Sequence, residues 1–323
     1  MTVLEAIQKS ADFLAKKGVE SPRLQTELLL AHLLNLPRMS LYLNFERALK
    51  PAETDALREF VKRRGRREPL QHITGSTSFC GLEMAVNRHA LVPRPETELL
   101  AEAGWQFLNK ISEGRVTRAP NSTDKAEFRD SQSSALLALD FGTGTGCIAI
   151  ALAVKCPNAR ITATDISAEA LALAGENAAR HHVSERIEFL PADGFAGVTE
   201  TWERGRPARE FENTDAWPRR TRSFDLIISN PPYIPSAEIS TLQPEVRDFD
   251  PRAALDGGAD GLDFYRMLSA QAKPFFKPDG KIMLEFGDGQ AEAIRKVCET
   301  EKWIVEAVKE DYSHRARILI ARR

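Results

Sequence analysis

Cysteine is scarce and scattered in this chain of 323 residues. The four present, Cys80, Cys147, Cys156 and Cys298, form no C-x-x-C pair, and the six histidines do not gather around them. That pattern excludes a disulfide framework and supplies no zinc site, so the expectation is reduced thiols in a packed interior and no bound metal. Long apolar runs are also missing. The longest, Cys147 to Val154, falls far short of the ~20 residues that cross a membrane. The N-terminus carries Glu5, Lys9 and Asp12 at amphipathic-helix spacing. It has neither the apolar core of a signal peptide nor the Arg- and Ser-rich, acid-poor character of a transit peptide, and the expected location is the cytoplasm. Nor does one sign of charge dominate: the net charge is −2, which argues against a whole-chain nucleic-acid binder.

That balance is uneven, however. The first 80 residues carry 13 Lys/Arg against 9 Asp/Glu, with the excess concentrated in Lys62, Arg63, Arg64, Arg66 and Arg67. Such a run reads as a helix end favoured by the dipole, or alternatively as a docking patch for an acidic or RNA-containing partner. What the chain does have is the composition of a globular protein, 42% hydrophobic and 28% charged, at a length that suits two domains.

Residues 1–75 predict a small helical domain. A stripe through Leu24, Leu28, Leu29 and Ala31 follows Ser21-Pro22, a pair that reads as an N-cap with proline at the first helical position. Pro51 opens a further helix, which Gly65 and Pro69 close. Residues 76–92 predict a hairpin linker, and a helix is expected from Glu96. In 93–323, strands at Ala135 to Phe141, Arg160 to Asp165, Arg186 to Leu190, Phe224 to Ser229, Lys281 to Phe286, Trp303 to Val308 and Arg317 to Ile320 alternate with helices, one of them capped by Ser167. Two polar stretches without periodicity, near 112–134 and 199–223, read as surface insertions. The alternation implies an α/β fold, a doubly wound, mainly parallel sheet that binds ligands at the carboxyl ends of its strands.

The first strand of that sheet ends in Asp140-Phe141-Gly142-Thr143-Gly144-Thr145-Gly146, and Asp165 closes the next strand, 19 residues after Gly146. Glycines at alternate positions let backbone approach a ligand closely, and a carboxylate at the second strand end accepts the hydroxyl hydrogens of a ribose. A nucleoside-bearing cofactor is implied. Dinucleotide sites favour G-x-G-x-x-G, whereas here the third glycine comes one place early. The loop suits S-adenosylmethionine, whose methionyl end carries both ammonium and carboxylate and no phosphate. Asp140 is expected to attract the ammonium. Asp193, with Gly194, either reaches the adenine amine or forms a solvated turn.

Asn230-Pro231-Pro232-Tyr233 follows the nearly continuous apolar strand Phe224 to Ser229. With residues each used at a few per cent, this tetrapeptide arises by chance in such a chain on the order of one time in a thousand. It fits methyl transfer to a conjugated nitrogen. The side-chain oxygen of Asn230 and the backbone carbonyl of Pro231 accept the two N–H bonds of a flat NH₂ group. Those bonds strengthen as the nitrogen becomes cationic, which is the differential binding that accelerates a reaction. Pro231 and Pro232 fix φ and hence the carbonyl direction. Tyr233 offers a flat face for stacking.

These motifs resemble those of class I S-adenosylmethionine-dependent methyltransferases, with their Rossmann-like sheet. Three further segments are similar to the PrmC (HemK) family, the release factor glutamine methyltransferases: Pro69-Leu70-Gln71-His72-Ile73-Thr74-Gly75, Leu91 to Glu98 (L-V-P-R-P-E-T-E), and Asp250 to Gly258 (D-P-R-A-A-L-D-G-G) with Asp260-Gly261-Leu262. The resemblance implies N5-methylation of the glutamine in the Gly-Gly-Gln tip of class 1 peptide chain release factors. S-adenosyl-L-homocysteine would be the product. Asn230 to Tyr233 would hold the glutamine, Gly142 to Gly146, Asp165 and Asn230 would contact the cofactor, and the helical domain would help hold the release factor. Where the family often places an aromatic over the adenine, this chain has Gly194 and then Phe195, so Phe195 is the candidate there. Two alternatives stand beside this reading: adenine N6 in DNA or RNA, against which the acidic catalytic part argues, and a glutamine in a ribosomal protein.

Overall fold

The computed structural model describes residues 1–117, 135–196, 198 and 223–323; most of the two polar stretches expected as insertions lies outside them. Helices α1 (Val3–Lys16), α2 (Pro22–Leu34), α3 (Pro51–Gly65) and α4 (Leu70–Thr74) build the N-terminal unit. α1 begins at a capping box, in which Thr2 Oγ1 accepts from the Glu5 N–H and the Glu5 carboxylate accepts from the Thr2 N–H. Val3, Ala6, Ile7 and Leu14 of α1 share one face and pack with Leu29 and Leu30 of α2 and Leu57 and Val61 of α3. Ser21 occupies the N-cap position of α2 but does not cap it: its φ is 49° and its side chain makes no capping bond. The proline after it removes the right-handed helical conformation from Ser21.

The basic end of α3 is largely paired within the chain. Arg63 holds Glu68. Arg64, which is buried, and Arg67 both grip Glu245, at 2.8 and 2.6 Å. Glu245 belongs to the short helix α8 (Pro244–Arg247) of the second unit, and the neighbouring Gln243 donates to Glu20. The run is therefore chiefly an interdomain strut rather than a free basic surface.

A two-stranded hairpin, β1 (Ser76–Phe79) and β2 (Leu82–Ala85), follows α4. It leads to α5 (Pro95–Thr117), which runs several residues into the first expected insertion. The main sheet then comprises β3 (Leu136–Phe141), β4 (Ala159–Asp165), β5 (Ile187–Pro191), β6 (Phe224–Ser229), β7 (Phe276–Glu285), β8 (Ile304–Glu310) and β9 (Ala316–Arg322), in the order β5-β4-β3-β6-β7-β9-β8. Five strands are parallel, and β9 runs antiparallel between β7 and β8. β7 starts earlier than the apolar pattern suggests, because Phe276 pairs with Phe224 before an irregularity restores the register at Lys281. β6 is buried along its whole length, as a central parallel strand covered on both faces must be. Helices α6 (Cys147–Lys155), α7 (Ala168–Arg180), α9 (Asp263–Gln271) and α10 (Ala291–Thr300) complete the layers. Ser167 caps α7, its hydroxyl accepting from the Ala170 N–H. Among the described residues no helix is long and apolar enough to cross a membrane.

Candidate active site

β3 and β6 are neighbours, but the chain leaves β3 for β4 on one side of the sheet and leaves β6 for β7 on the other. A crevice opens at such a reversal, outside the carboxyl ends of the strands. The loop 142–146 and the tetrapeptide 230–233 both lie there. Between them is a cavity of about 340 Å³, walled by Gly142 to Thr145, Asp165, Asp193, Gly194, Asn230, Pro232 and residues of the linker after β2. Its volume is within the range that admits a small-molecule ligand.

The glycines of the first loop take φ values of +72° (Gly142), +54° (Gly144) and +80° (Gly146), a conformation that side chains resist. A Cβ at Gly142 would meet nothing within 4 Å, so that glycine leaves open space against the cavity. Gly146 has a different task and is not on the cavity wall. A Cβ there would lie 2.9 Å from Ala174 Cβ, so its absence lets α7 approach α6.

Asp140 is fully buried behind the loop, also off the cavity wall. Its Oδ2 accepts from Thr143 Oγ1 at 2.6 Å and from the Ala149 N–H at 3.1 Å, pinning the loop to the first turn of α6. Burial pushes its carboxyl up to about 7, and Oδ1 has no partner. Asp165 accepts from the Gly144 N–H at 2.8 Å and from the Ser167 N–H at 2.9 Å. The loop N–H groups that would cradle a pyrophosphate in a dinucleotide site are thus partly taken by the protein's own carboxylates. A cavity backed by two carboxylates repels phosphate and favours a ligand with positive charge. The buried hydroxyls of Thr145 and Thr164, both on the wall, lack protein partners and are available to a polar ligand.

Asn230 reaches the cavity from the opposite side. Its Nδ2 donates to Thr97 Oγ1 at 3.0 Å, leaving Oδ1 as the free acceptor. Pro231 is buried, and neither it nor Tyr233 forms part of the cavity wall. The Tyr233 ring packs where a Cβ on Gly287 would be, at 2.9 Å, and burial raises its phenol above the usual range. The Tyr233 ring is partly buried against the core, off the cavity wall. The tetrapeptide is held by the later loop: Ile234 N–H donates to the Leu255 carbonyl, Gly257 N–H to the Ile234 carbonyl, and Gln290 Nε2 to the Tyr233 carbonyl. Glycine is required at 257 because a Cβ would fall 2.9 Å from the Pro232 carbonyl oxygen. Arg94, on the wall, is anchored by the buried Asp250 at 2.6 Å.

At the far end, Asp193 is exposed on the rim with Gly194. Phe195 is not over the cavity. It is buried in the core between Phe141 and Phe275, with ring centroids 5.4 and 4.7 Å away. Ile166, 67% exposed and directly after Asp165, is one of the large apolar side chains on the wall, as is Phe264.

Comparison with known proteins decides the family. Residues 5–75 match the PrmC N-terminal domain, and residues 132–319 match a methyltransferase domain. The release factor glutamine methyltransferase of Geobacter sulfurreducens is 41% identical over 293 residues, covering 91% of this chain and 87% of that protein. The protein of the same name from Chlorobaculum tepidum is 40% identical over 292 residues, with 90% and 87% covered. The chain belongs to the release factor glutamine methyltransferase family. A bifunctional methyltransferase of Rickettsia conorii is 33% identical over 321 residues, and the match spans 99% of this chain but 57% of that longer protein.

Beyond the family motifs, the methyltransferase fold depends on side chains that the sequence did not single out. Asn177, fully buried on α7, accepts from the Ala85 N–H at 2.7 Å and donates to the carbonyls of Ala85 and Thr145, both at 3.0 Å. One amide thereby ties the hairpin linker to the glycine loop and holds the linker over the cavity. Thr97, on the cavity wall, holds the Asn230 amide, and Glu285 is buried at the end of β7. Thr97 lies within the L-V-P-R-P-E-T-E segment, which was the available signal. Glu285 had none, because a lone acid at a strand end usually faces solvent.

Proposed function

We propose that the protein transfers the methyl group of S-adenosylmethionine to the side-chain amide nitrogen (N5) of the glutamine in the Gly-Gly-Gln tip of class 1 peptide chain release factors. The observation that carries the reading is Asn230. Its nitrogen is held by Thr97, and its oxygen remains free in a cavity backed by Asp140 and Asp165.

When bound, S-adenosylmethionine supplies an electrophilic methyl on a cationic sulfur. The residues present fit it. Asp165 keeps lone pairs for ribose hydroxyls, the rim at Ile166, Asp193 and Gly194 suits a flat base, and Gly142 to Thr145 with the carboxylate of Asp140 behind them suit the zwitterionic end. Asn230 Oδ1, on the wall, would accept one N–H bond of the glutamine amide, and the carbonyl of Pro231, which is buried next to the wall, would accept the other once the substrate is bound. They aim its remaining lone-pair direction at the methyl carbon. The nitrogen gains the methyl and then sheds one proton to water. While its charge is positive both hydrogen bonds are stronger, which lowers the barrier without a general base. Positioning supplies the rest.

Adenine N6 presents a similar flat NH₂ group. That reading drew its support from the basic run at 62–67, most of which is paired with Glu59, Glu68 and Glu245. The test is competition in one vessel. Purified protein with methyl-labelled cofactor is offered a class 1 release factor, ribosomal protein and duplex DNA. Label entering the release factor is the expected result; label confined to DNA or ribosomal protein contradicts the proposal.

A further inference from the structure

Beside Asn230 a polar pair runs from the cavity wall, at Thr97, to the buried Glu285. Thr97, in the first turns of α5, accepts the Asn230 Nδ2 hydrogen at 3.0 Å. Glu285, the last residue of β7, is only 3% exposed, and the side chains of Thr97 and Asn230 both favour its charged form. A hydroxyl has one proton to give. Thr97 Oγ1 spends a lone pair on the Asn230 NH₂, so its own proton is left for another acceptor, and Glu285 is the carboxylate whose charged form it favours. The orientation of that amide is thus fixed, with its nitrogen on Thr97 and its oxygen left free. A buried carboxylate is costly to keep, and Glu285 Oε2 has no partner at all, so its presence calls for a compensating role.

The charged and titratable groups facing Glu285 come from every element packed on it. Glu96 of α5 opposes its charge, Arg317 of β9 favours it, and Tyr233 after β6 and Tyr265 of α9 stand alongside as neutral phenols. Burial outweighs the favourable contacts and pushes Glu285 up to about 7. The carboxylate therefore ionises within the working range of an enzyme.

We infer that Glu285 and Thr97 are positioning residues for methyl transfer: ionised Glu285, acting through Thr97, orients and polarises the Asn230 amide so that Oδ1 becomes the stronger acceptor for the reacting NH₂ group. This rests on the function proposed above and deepens it. Negative charge on the Thr97 side of the amide polarises its N–H bonds and shifts electron density to its oxygen, and linked hydrogen bonds reinforce one another. The gain is largest when the substrate nitrogen is most cationic, so it appears in kcat rather than in KM.

The experiment measures kcat and KM on a release factor at saturating cofactor, across pH values on both sides of 7, for the wild type, Glu285→Gln, Thr97→Val and Thr97→Ser. Wild-type kcat should rise with pH through an inflection near 7. Glu285→Gln should lower the high-pH kcat about tenfold, less than loss of a direct contact costs, with KM within about twofold and the inflection gone. Thr97→Val, which keeps shape and leaves Glu285 intact, should show the same loss, and Thr97→Ser should restore most of it. A purely structural role for the pair would not remove the inflection. Wild-type kcat and an unchanged pH profile in Glu285→Gln, or in a folded Thr97→Val, would overturn the inference. No turnover by the wild type would instead contradict the substrate reading on which it rests.

Discussion

Arg64 Nη2 lies 2.8 Å from Glu245 Oε1, although 181 residues of chain separate them. Arg67 holds the other oxygen of the same carboxylate, so one acid joins the helical unit to the segment between the Asn230–Tyr233 turn and the loop that clamps it. Replacing Glu245 by alanine leaves the buried Arg64 guanidinium without this ion-pair partner. The expected cost is about 3 kcal/mol, read as a lowered urea midpoint. An unchanged midpoint would mean that the two units are held without the Glu245 ion pairs.

Asn177 is predicted to matter for cofactor binding without touching the cofactor. In Asn177→Leu the Ala85 N–H and the carbonyls of Ala85 and Thr145 lose their partner. Each unpaired buried group costs about 1–3 kcal/mol, and the linker wall should loosen. Titration calorimetry should show weaker S-adenosylmethionine binding together with a lower melting temperature.

The buried Asp140 predicts a pH effect with a definite sign. Its folded value of about 7 exceeds the usual carboxylate value of 3.8. The folded state therefore binds the proton more tightly. This contribution to stability is fully present below the unfolded value and is lost as pH rises through about 7. Ionised Asp140 attracts a cationic ligand, so affinity for S-adenosylmethionine should rise over the same interval. Asp140→Asn should flatten both trends, seen in unfolding midpoints and binding constants measured from pH 5 to 8, roughly the range of typical maximal stability.

Asn230→Ala removes the acceptor that strengthens as the reaction proceeds. Its kcat should fall on the order of 10²–10³-fold while cofactor affinity changes little. Equal losses in both would make Asn230 a binding residue and not a catalytic one.

How much of this was legible in the sequence follows from distance along the chain. The glycine loop, Asp165 and Asn230 to Tyr233 are contiguous motifs at strand ends, so the alternation of strand and helix already located them. The Ser167 cap is local and equally readable. Thr97 and Asn230 are 133 residues apart, and Asn177 and Ala85 are 92 apart, so no periodicity links them. Asp140 stands in the right motif, yet only the packing of α6 and the loop over it turns it from a wall residue into a buried anchor. Phe195 fits an aromatic slot by position, but Phe141 and Phe275 recruit it to the core and leave Ile166 at the cavity. The basic run looked like a surface because its partner Glu245 arrives from so far along the chain.

The central claim is that a glutamine amide is the group held at Asn230. The most direct measurement is tandem mass spectrometry of a class 1 release factor after incubation with the protein and S-adenosylmethionine, with Asn230→Ala as the control. The account predicts the added mass of one methylene on the glutamine side chain of the Gly-Gly-Gln peptide, nearly absent with the variant. A methyl group found elsewhere in the release factor, or an unmodified peptide under conditions where the protein methylates DNA, would contradict it.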